Sequence, residues 1–185
     1  MKISIKNMVC NRCISAVRAI FDGLEIDTSR IDLGEVDVTG LLSADELQTL
    51  NGKLKSAGFE ILQDSSRKQI EKIKNLIIQK ISEEDITEDF VLSGFLSSSL
   101  NKDYSAISKL FSQVENLTVE QFFILQKIEK VKELLLYNEL NLTEISLKLG
   151  YKSVQHISNQ FKKITGFSPT QFLKSKEKRI ALDKV

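Results

Sequence analysis

Cys10 and Cys13 are the only cysteines in the chain and stand three residues apart. In a chain expected to be cytoplasmic, that spacing points to a metal or redox site rather than a structural disulfide. They fall on a loop that opens a helix, and a helix N-terminus favours thiolate over thiol. Two thiolates suit a soft ion such as Cu(I), bound in low coordination. A structural zinc would want four ligands, and the one histidine, His156, is far along the chain. Soft-metal binding is therefore the first reading. A redox pair is the second, although the chain has no Trp and its one Pro is Pro169, so the residues that flank thioredoxin-type pairs are missing. A unit that keeps the fold and uses it for dimerisation or another ligand is the third. Met8 reads as a core anchor for the loop rather than a ligand.

A second chemistry is written twice. Ala106–Phe123, AISKLFSQVENLTVEQFF, returns as His156–Leu173, HISNQFKKITGFSPTQFL, fifty residues later. Ile107/Ile157, Ser108/Ser158, Phe111/Phe161, Gln121/Gln171 and Phe122/Phe172 are shared. An internal repeat sets the architecture, and each copy reads as a helix-turn-helix unit. The outward face of the second copy offers Ser153, Val154, Gln155, Ser158 and Asn159, whose amides can pair with adenine in the major groove. The first copy offers Ser105, Ser108 and Lys109, and Lys109 could reach guanine. Lys152, Lys162 and Lys163 are expected on phosphates, where they give affinity without sequence information. His156 is expected to pack or to face DNA. Phe111, Phe122, Phe161 and Phe172 are expected in the core.

The elements that must hold these residues follow from periodicity. Lys2–Asn7 alternates as a half-buried strand. Cys13, Val17, Ile20 and Phe21 share one helix face. Glu25–Ile31 and Leu33–Val38 read as two strands parted near Asp32. Ser43-x-x-Glu46 is a capping box opening a helix that runs to about Ser56, with Gly58 as its stop. Phe59–Leu62 is a last strand. The order βαββαβ makes an α+β unit. Asp64–Lys68 is polar and marks a boundary. Ile70, Ile73, Leu76, Ile77 and Ile81 lie on one face of a connecting helix, and Glu83–Asp89 is an acidic loop.

In the repeat, Ile145, Leu147 and Leu149 form the apolar set of a helix capped by Asn141 and Glu144. Gly150 supplies a left-handed turn, Ser153 caps the next helix, and Ile157, Phe161 and Ile164 point inward. Gly166 ends that helix, and Ser168 to Gln171 start another with Pro169 in its first turn. In the first copy Leu96 and Leu100 match Ile145 and Leu149, Asn101 replaces Gly150, and Asp103 caps the next helix. Thr118 and Gln121 form a further capping box. Between the copies one helix, Val119–Tyr137, spans about 28 Å at about 1.5 Å per residue. Successive major grooves on one face of DNA lie about 34 Å apart.

The 185 residues carry a formal charge of +1. Residues 1–66 hold 7 basic and 10 acidic side chains, whereas residues 150–185 hold 8 and 2. A basic end of this kind is an electrostatic footprint for nucleic acid or a solvated lysine-rich surface. No apolar run approaches the roughly 18–20 residues that span a bilayer, and the N-terminus lacks the apolar stretch of a signal peptide.

Residues Glu129–Phe172, with Gly150, Ser153, Phe161, Lys162, Gly166, Ser168 and Pro169 in pattern, resemble the C-terminal domain of AraC-type transcription regulators. The resemblance reaches, more weakly, back to about Ile86. It implies two helix-turn-helix units that bind DNA, as a monomer or within a dimer. That family often has Arg where Asn159 stands. The N-terminus resembles a heavy-metal-associated domain, the βαββαβ fold of copper chaperones, on Met8-Val9-Cys10-Asn11-Arg12-Cys13 and Ala57-Gly58-Phe59. Asn7 stands where that family usually has Gly.

These readings give an α+β, ferredoxin-like βαββαβ domain over 1–64, a connecting helix and loop over 65–88, and an all-α double helix-turn-helix domain over 89–185. The expected function is a DNA-binding transcription regulator responsive to a soft metal ion, Cu(I) or another, at Cys10 and Cys13. Double-stranded DNA is the expected partner; a homodimer and a metal-donor protein are compatible with it, and a membrane is not. The alternative is a metallochaperone whose helical part docks a protein. No acid, base or nucleophile constellation beyond the thiols suggests an enzyme, which leaves only a thiol oxidoreductase in that class.

Overall fold

A computed structural model describes residues 1–62 and 64–174. The end of the C-terminal domain, 175–185, lies outside the described residues and takes with it part of the basic excess read from the sequence. The chain divides into two compact units, Met1–Asn75 and Leu76–Val185. Among the described residues no helix is long and apolar enough to cross a membrane.

The first unit runs β1 (Lys2–Lys6), α1 (Asn11–Asp22), β2 (Thr28–Asp32), β3 (Glu35–Val38), α2 (Ala44–Ser56), β4 (Glu60–Leu62). The four strands form one sheet in the order β2-β3-β1-β4. Its pairings are antiparallel, with Ile3 opposite Val36 and Ile5 opposite Ile61. Ile3, Ile5, Val36 and Val38 pack with Val17, Phe21, Leu50 and Leu54 in one apolar core, where Met8 is also fully buried. β2 and β3 are both shorter than their β-propensity suggested. Glu25 takes φ +55 as the chain reverses after α1, so β2 begins at Thr28. Leu33 and Gly34 make a two-residue hairpin loop, with Gly34 at φ +81, and β3 begins at Glu35. The capping box of α2 is present with both bonds, Glu46 N to Ser43 Oγ at 3.3 Å and Ser43 N to Glu46 Oε2 at 2.8 Å.

The Asp64 carboxylate accepts the backbone N–H groups of Ser66 and Arg67 at 2.6 and 3.1 Å. The polar stretch after Asp64 is thus the first turn of α3 (Ser65–Ser82), and the division between the two units falls inside this helix. Its first half is pinned to the sheet. Lys72 Nζ lies 2.8 Å from Glu35 Oε1, and Glu71 Oε2 accepts the backbone N–H of Asn7 at 3.3 Å. Glu35 precedes Val36, whose side chain is in the helix-covered core, so Lys72 meets the opposite face of the sheet.

The second unit holds α4 (Leu92–Leu100), α5 (Tyr104–Glu115), α6 (Val119–Tyr137), α7 (Leu142–Lys148), α8 (Val154–Thr165) and α9 (Pro169–Lys174). The repeat is geometric as well as lexical. α5 and α8 are each 12 residues long and start fifty positions apart, and their left-handed C-caps are Asn116 and Gly166. Phe111 meets Phe122 at 5.5 Å between ring centroids, and Phe161 meets Phe172 at 5.5 Å. Three details differ from the periodic reading. Leu147 is 71% exposed: Ile145 and Leu149 share the inward face at a four-residue spacing, and a step of two turns Leu147 away from it. Ile164, in the last turn of α8, is 40% exposed, because spacing defines a face but not where along the axis its cover ends. Asp103 occupies the N-cap of α5 without a side-chain cap bond, whereas Ser153 accepts the His156 N–H at 3.1 Å.

The acidic segment after α3 belongs to neither helix nor strand, yet it is anchored. Glu84 pairs with Lys130 at 2.9 Å and Lys148 at 3.0 Å. Ile86 is buried, donates its N–H to the Lys148 carbonyl at 3.0 Å and forms a parallel bridge with Leu149. Gly150 follows at φ +63; a Cβ there would meet the Thr87 carbonyl oxygen at 2.6 Å and Ile86 Cγ2 at 2.8 Å. The connecting segment thus closes over the turn of the second helix-turn-helix.

α6 is the central rod, buried along most of its length even at charged positions. Lys130 and Lys132 have carboxylate partners, but Lys127 Nζ lies over the Tyr151 ring, 3.7 Å from its centroid, and 5.5 Å from that of Phe123. Burial pushes Lys127 down to about 8 from an ordinary 10.5. Below pH 8 the cost of burying the charge is borne in full. As pH rises toward 10.5 the unfolded chain keeps a proton that the folded chain has lost, so this group makes stability rise with pH over that window. Lys127→Met is expected to stabilise the second unit at pH 7 by on the order of 1–3 kcal/mol, after the lost cation–π contact is allowed for. Urea denaturation of both proteins from pH 7 to 10.5 checks this; the gain should shrink with pH, and a variant less stable than the parent at pH 7 would refute it.

Candidate nucleic-acid interface and thiol site

The outward faces of α5 and α8 carry the residues read from the sequence as base and phosphate contacts. On α8, Val154, Gln155, Asn159, Lys162 and Lys163 are exposed, Ser158 is half-buried, and Lys152 and Ser153 are exposed just before the helix. The Ser153 hydroxyl already serves as the helix cap. Gln155 Nε2 donates to Asn159 Oδ1 at 2.9 Å. With the two amides joined, Gln155 Oε1 and Asn159 Nδ2 remain for an outside partner. One acceptor and one donor side by side is the complement of an adenine edge. Exposed His156 stands edge-on to Tyr151, with centroids 5.3 Å apart.

On α5, Ser105 and Lys109 are exposed and Ser108 is half-buried. The same three positions on α8 carry Gln155, Asn159 and Ser158, so one scaffold presents two different surfaces. The sequence reading passed over Lys102 and Gln113, both exposed. They stand fifty residues before Lys152 and Lys163, and the repeat offset was the signal that could have found them.

The thiols lie in the first unit. Cys10 is the extended N-cap residue of α1, without a side-chain cap bond, and Cys13 is in the first turn. Both are half-buried, and their sulfurs are 3.4 Å apart. Burial pushes the Cys10 thiol up, but hydrogen bonds from the Cys13 and Arg12 N–H groups and from the Cys13 thiol outweigh it, so Cys10 lies below its ordinary value. Cys13 is raised, first by burial and then by its neighbour Cys10. Asn7, which opens the loop, takes φ +70 and donates its side-chain amide to the Gly58 carbonyl at 2.8 Å. A left-handed position of this kind favours glycine, and Asn is the next residue able to hold it.

The donor set fits a soft ion and not a structural zinc. Among the described residues no group of three His, Cys, Asp or Glu is placed to share an ion. Two metal–sulfur bonds of about 2.3 Å span at most about 4.6 Å. Sulfurs 3.4 Å apart can therefore share one ion in a bent arrangement, or open toward a linear one by rotating Cys10.

Comparison with known proteins places the second unit. The helix-turn-helix domain family matches residues 96–175. The C-terminal domain of AraT, a response regulator from Geobacillus stearothermophilus, is 26% identical over 61% of this chain and 88% of that one, with a TM-score of 0.50. The C-terminal domain of the two-component response regulator yesN from Fusobacterium nucleatum is 29% identical, covering 55% of this chain and 97% of that one at a TM-score of 0.47. No curated protein matches the chain. Residues 96–175 therefore match a helix-turn-helix domain, and their fold is similar to that of the AraT C-terminal domain.

Proposed function

We propose that this chain is a sequence-specific transcription regulator in which two helix-turn-helix units read DNA and the N-terminal unit takes up a soft metal ion. The observation that carries the reading is the duplicated unit itself, with α5 and α8 equal in length and each bearing an exposed polar face. Gln155 and Asn159 read bases in the second copy, and Ser105, Ser108 and Lys109 do so in the first. Lys152, Lys162 and Lys163 hold phosphates. The N-terminal βαββαβ unit is ferredoxin-like in this reading, with domains at 1–64 and 89–185 joined by 65–88. Cys10 and Cys13 would hold Cu(I) or another soft ion, whose binding energy would bias DNA affinity. A ligand shifts an equilibrium only by its preference for one state. A second copy of the chain and a metal-donor protein are further partners in this reading.

The test is selection from a random double-stranded DNA library by the full chain, with and without Cu(I) under reducing conditions. An enriched motif with two half-sites about one helical turn apart is expected, and a Cu(I)-dependent change in affinity ties in the thiols. Gln155→Ala or Asn159→Ala should weaken the selected site by about 5–150-fold and relax its preference in one half only. Lys162→Ala should weaken all sequences alike and reduce the salt slope by about 0.9. A chain that enriches no motif but hands Cu(I) to an acceptor would instead be a metallochaperone with a docking domain.

A further inference from the structure

We propose that Cys10 and Cys13 are also a reversible dithiol–disulfide switch, closed by a hydroperoxide and acting with no metal present. Their sulfurs are 3.4 Å apart. A disulfide needs about 2.05 Å, so about 1.4 Å must be closed. Cys10 is the N-cap residue, with extended backbone, just outside the helix. Rotation of its side chain can supply that movement while α1 stays in place. Cys13 is held by the helix, whose Val17 and Phe21 are fixed in the core, and the loop before Cys10 is anchored by fully buried Met8. The backbone on either side of the pair is therefore held in place, and side-chain rotation at the N-cap is what has to close the gap.

The Cys10 sulfur attacks one oxygen of ROOH; the O–O bond breaks, ROH leaves with a proton, and Cys10 becomes a sulfenic acid, having lost two electrons to the peroxide. The Cys13 sulfur then attacks the Cys10 sulfur. The S–S bond forms, the S–O bond breaks, and water leaves with the Cys13 proton. One dithiol and one ROOH give one disulfide, one ROH and one water. A small-molecule thiol reverses the change by exchange through a mixed disulfide. The closed form offers no thiolate to an ion, so oxidation and metal uptake exclude each other at this site. This switch concerns the same two residues as the proposed metal site but does not depend on their binding a metal.

The full chain, reduced and held in chelator to exclude metal, is treated with hydrogen peroxide, quenched with N-ethylmaleimide and weighed intact. The expected product is a monomer about 2 Da lighter that takes up no maleimide and regains both adducts after dithiothreitol. Cys13→Ser should halt at a Cys10 sulfenic acid that dimedone traps, and Cys10→Ser should give no trapped product under the same exposure. Cu(I) uptake by the reduced and oxidised chains is measured alongside. A reduced chain that takes up no Cu(I) but closes its disulfide sinks only the metal reading. Two maleimide adducts persisting after peroxide, or disulfide-linked dimers as the main product, would overturn the switch.

Discussion

Gly150→Ala is expected to destabilise the second unit by about 2–5 kcal/mol. The left-handed backbone at φ +63 costs an L-residue about 1–2 kcal/mol. The added Cβ would lie 2.6 Å from the Thr87 carbonyl oxygen and 2.8 Å from Ile86 Cγ2, and overpacking of this kind adds about 1–3 kcal/mol. The clash is with backbone, so it is not relieved by a rotamer change. Moving the segment away would break the Ile86–Leu149 bridge and strain the Glu84 pairs with Lys130 and Lys148. Asn101→Ala at the equivalent turn is the control. Asn101 is also left-handed, at φ +50, but already carries a Cβ and is exposed, so its loss should cost about 1 kcal/mol. Urea denaturation followed by circular dichroism measures both, and equal losses would show that the segment over Gly150 contributes nothing.

Phe161→Ala should cost about 3–5 kcal/mol, the usual range for truncating a buried aromatic. Phe161 is fully buried on the inner face of α8 and meets Phe172 of α9 edge-on at 5.5 Å. Truncation leaves a cavity under the helix that carries Gln155 and Asn159, so DNA affinity should fall even at temperatures where the unit stays folded. A double-mutant cycle with Phe172→Ala should return a coupling of about 0.5–1.5 kcal/mol for the ring pair. Phe161→Leu keeps most of the volume and should recover more than half of the lost stability. A loss below about 1 kcal/mol for Phe161→Ala would mean that the packing of α8 against α9 is not what holds it.

The sequence was most legible where the physics is local. The capping boxes at Ser43/Glu46, Thr118/Gln121 and Asn141/Glu144 are all present with their reciprocal bonds, and Ser168/Gln171 shows the same pair. Each needs only two residues three apart. The apolar stripes were read well where a partner covers the whole face and less well at Leu147 and Ile164, because coverage is decided by other elements. Tertiary contacts left no local trace. Nothing in the order of residues announced that Glu84 would sit between Lys130 and Lys148, or that Glu71 would be tied to Asn7. Lys127 is the clearest case: charge and helical position mark it as a surface residue, yet it is buried with its ammonium against the rings of Tyr151 and Phe123. The thiol pair was legible from spacing, whereas the tether at Asn7 that shapes its loop needed the backbone angle.

The two copies of the helix-turn-helix are built alike but do not spell alike. Where one shows Ser105 and Lys109, the other shows Gln155 and Asn159. A pair of identical readers, turned about a two-fold axis, sees the same text from either end. Two unlike readers in fixed order along one chain see a sentence with a beginning. A single bound molecule would then point one way along the duplex, and inverting its site in front of a gene would reverse which face of the protein meets whatever arrives from upstream.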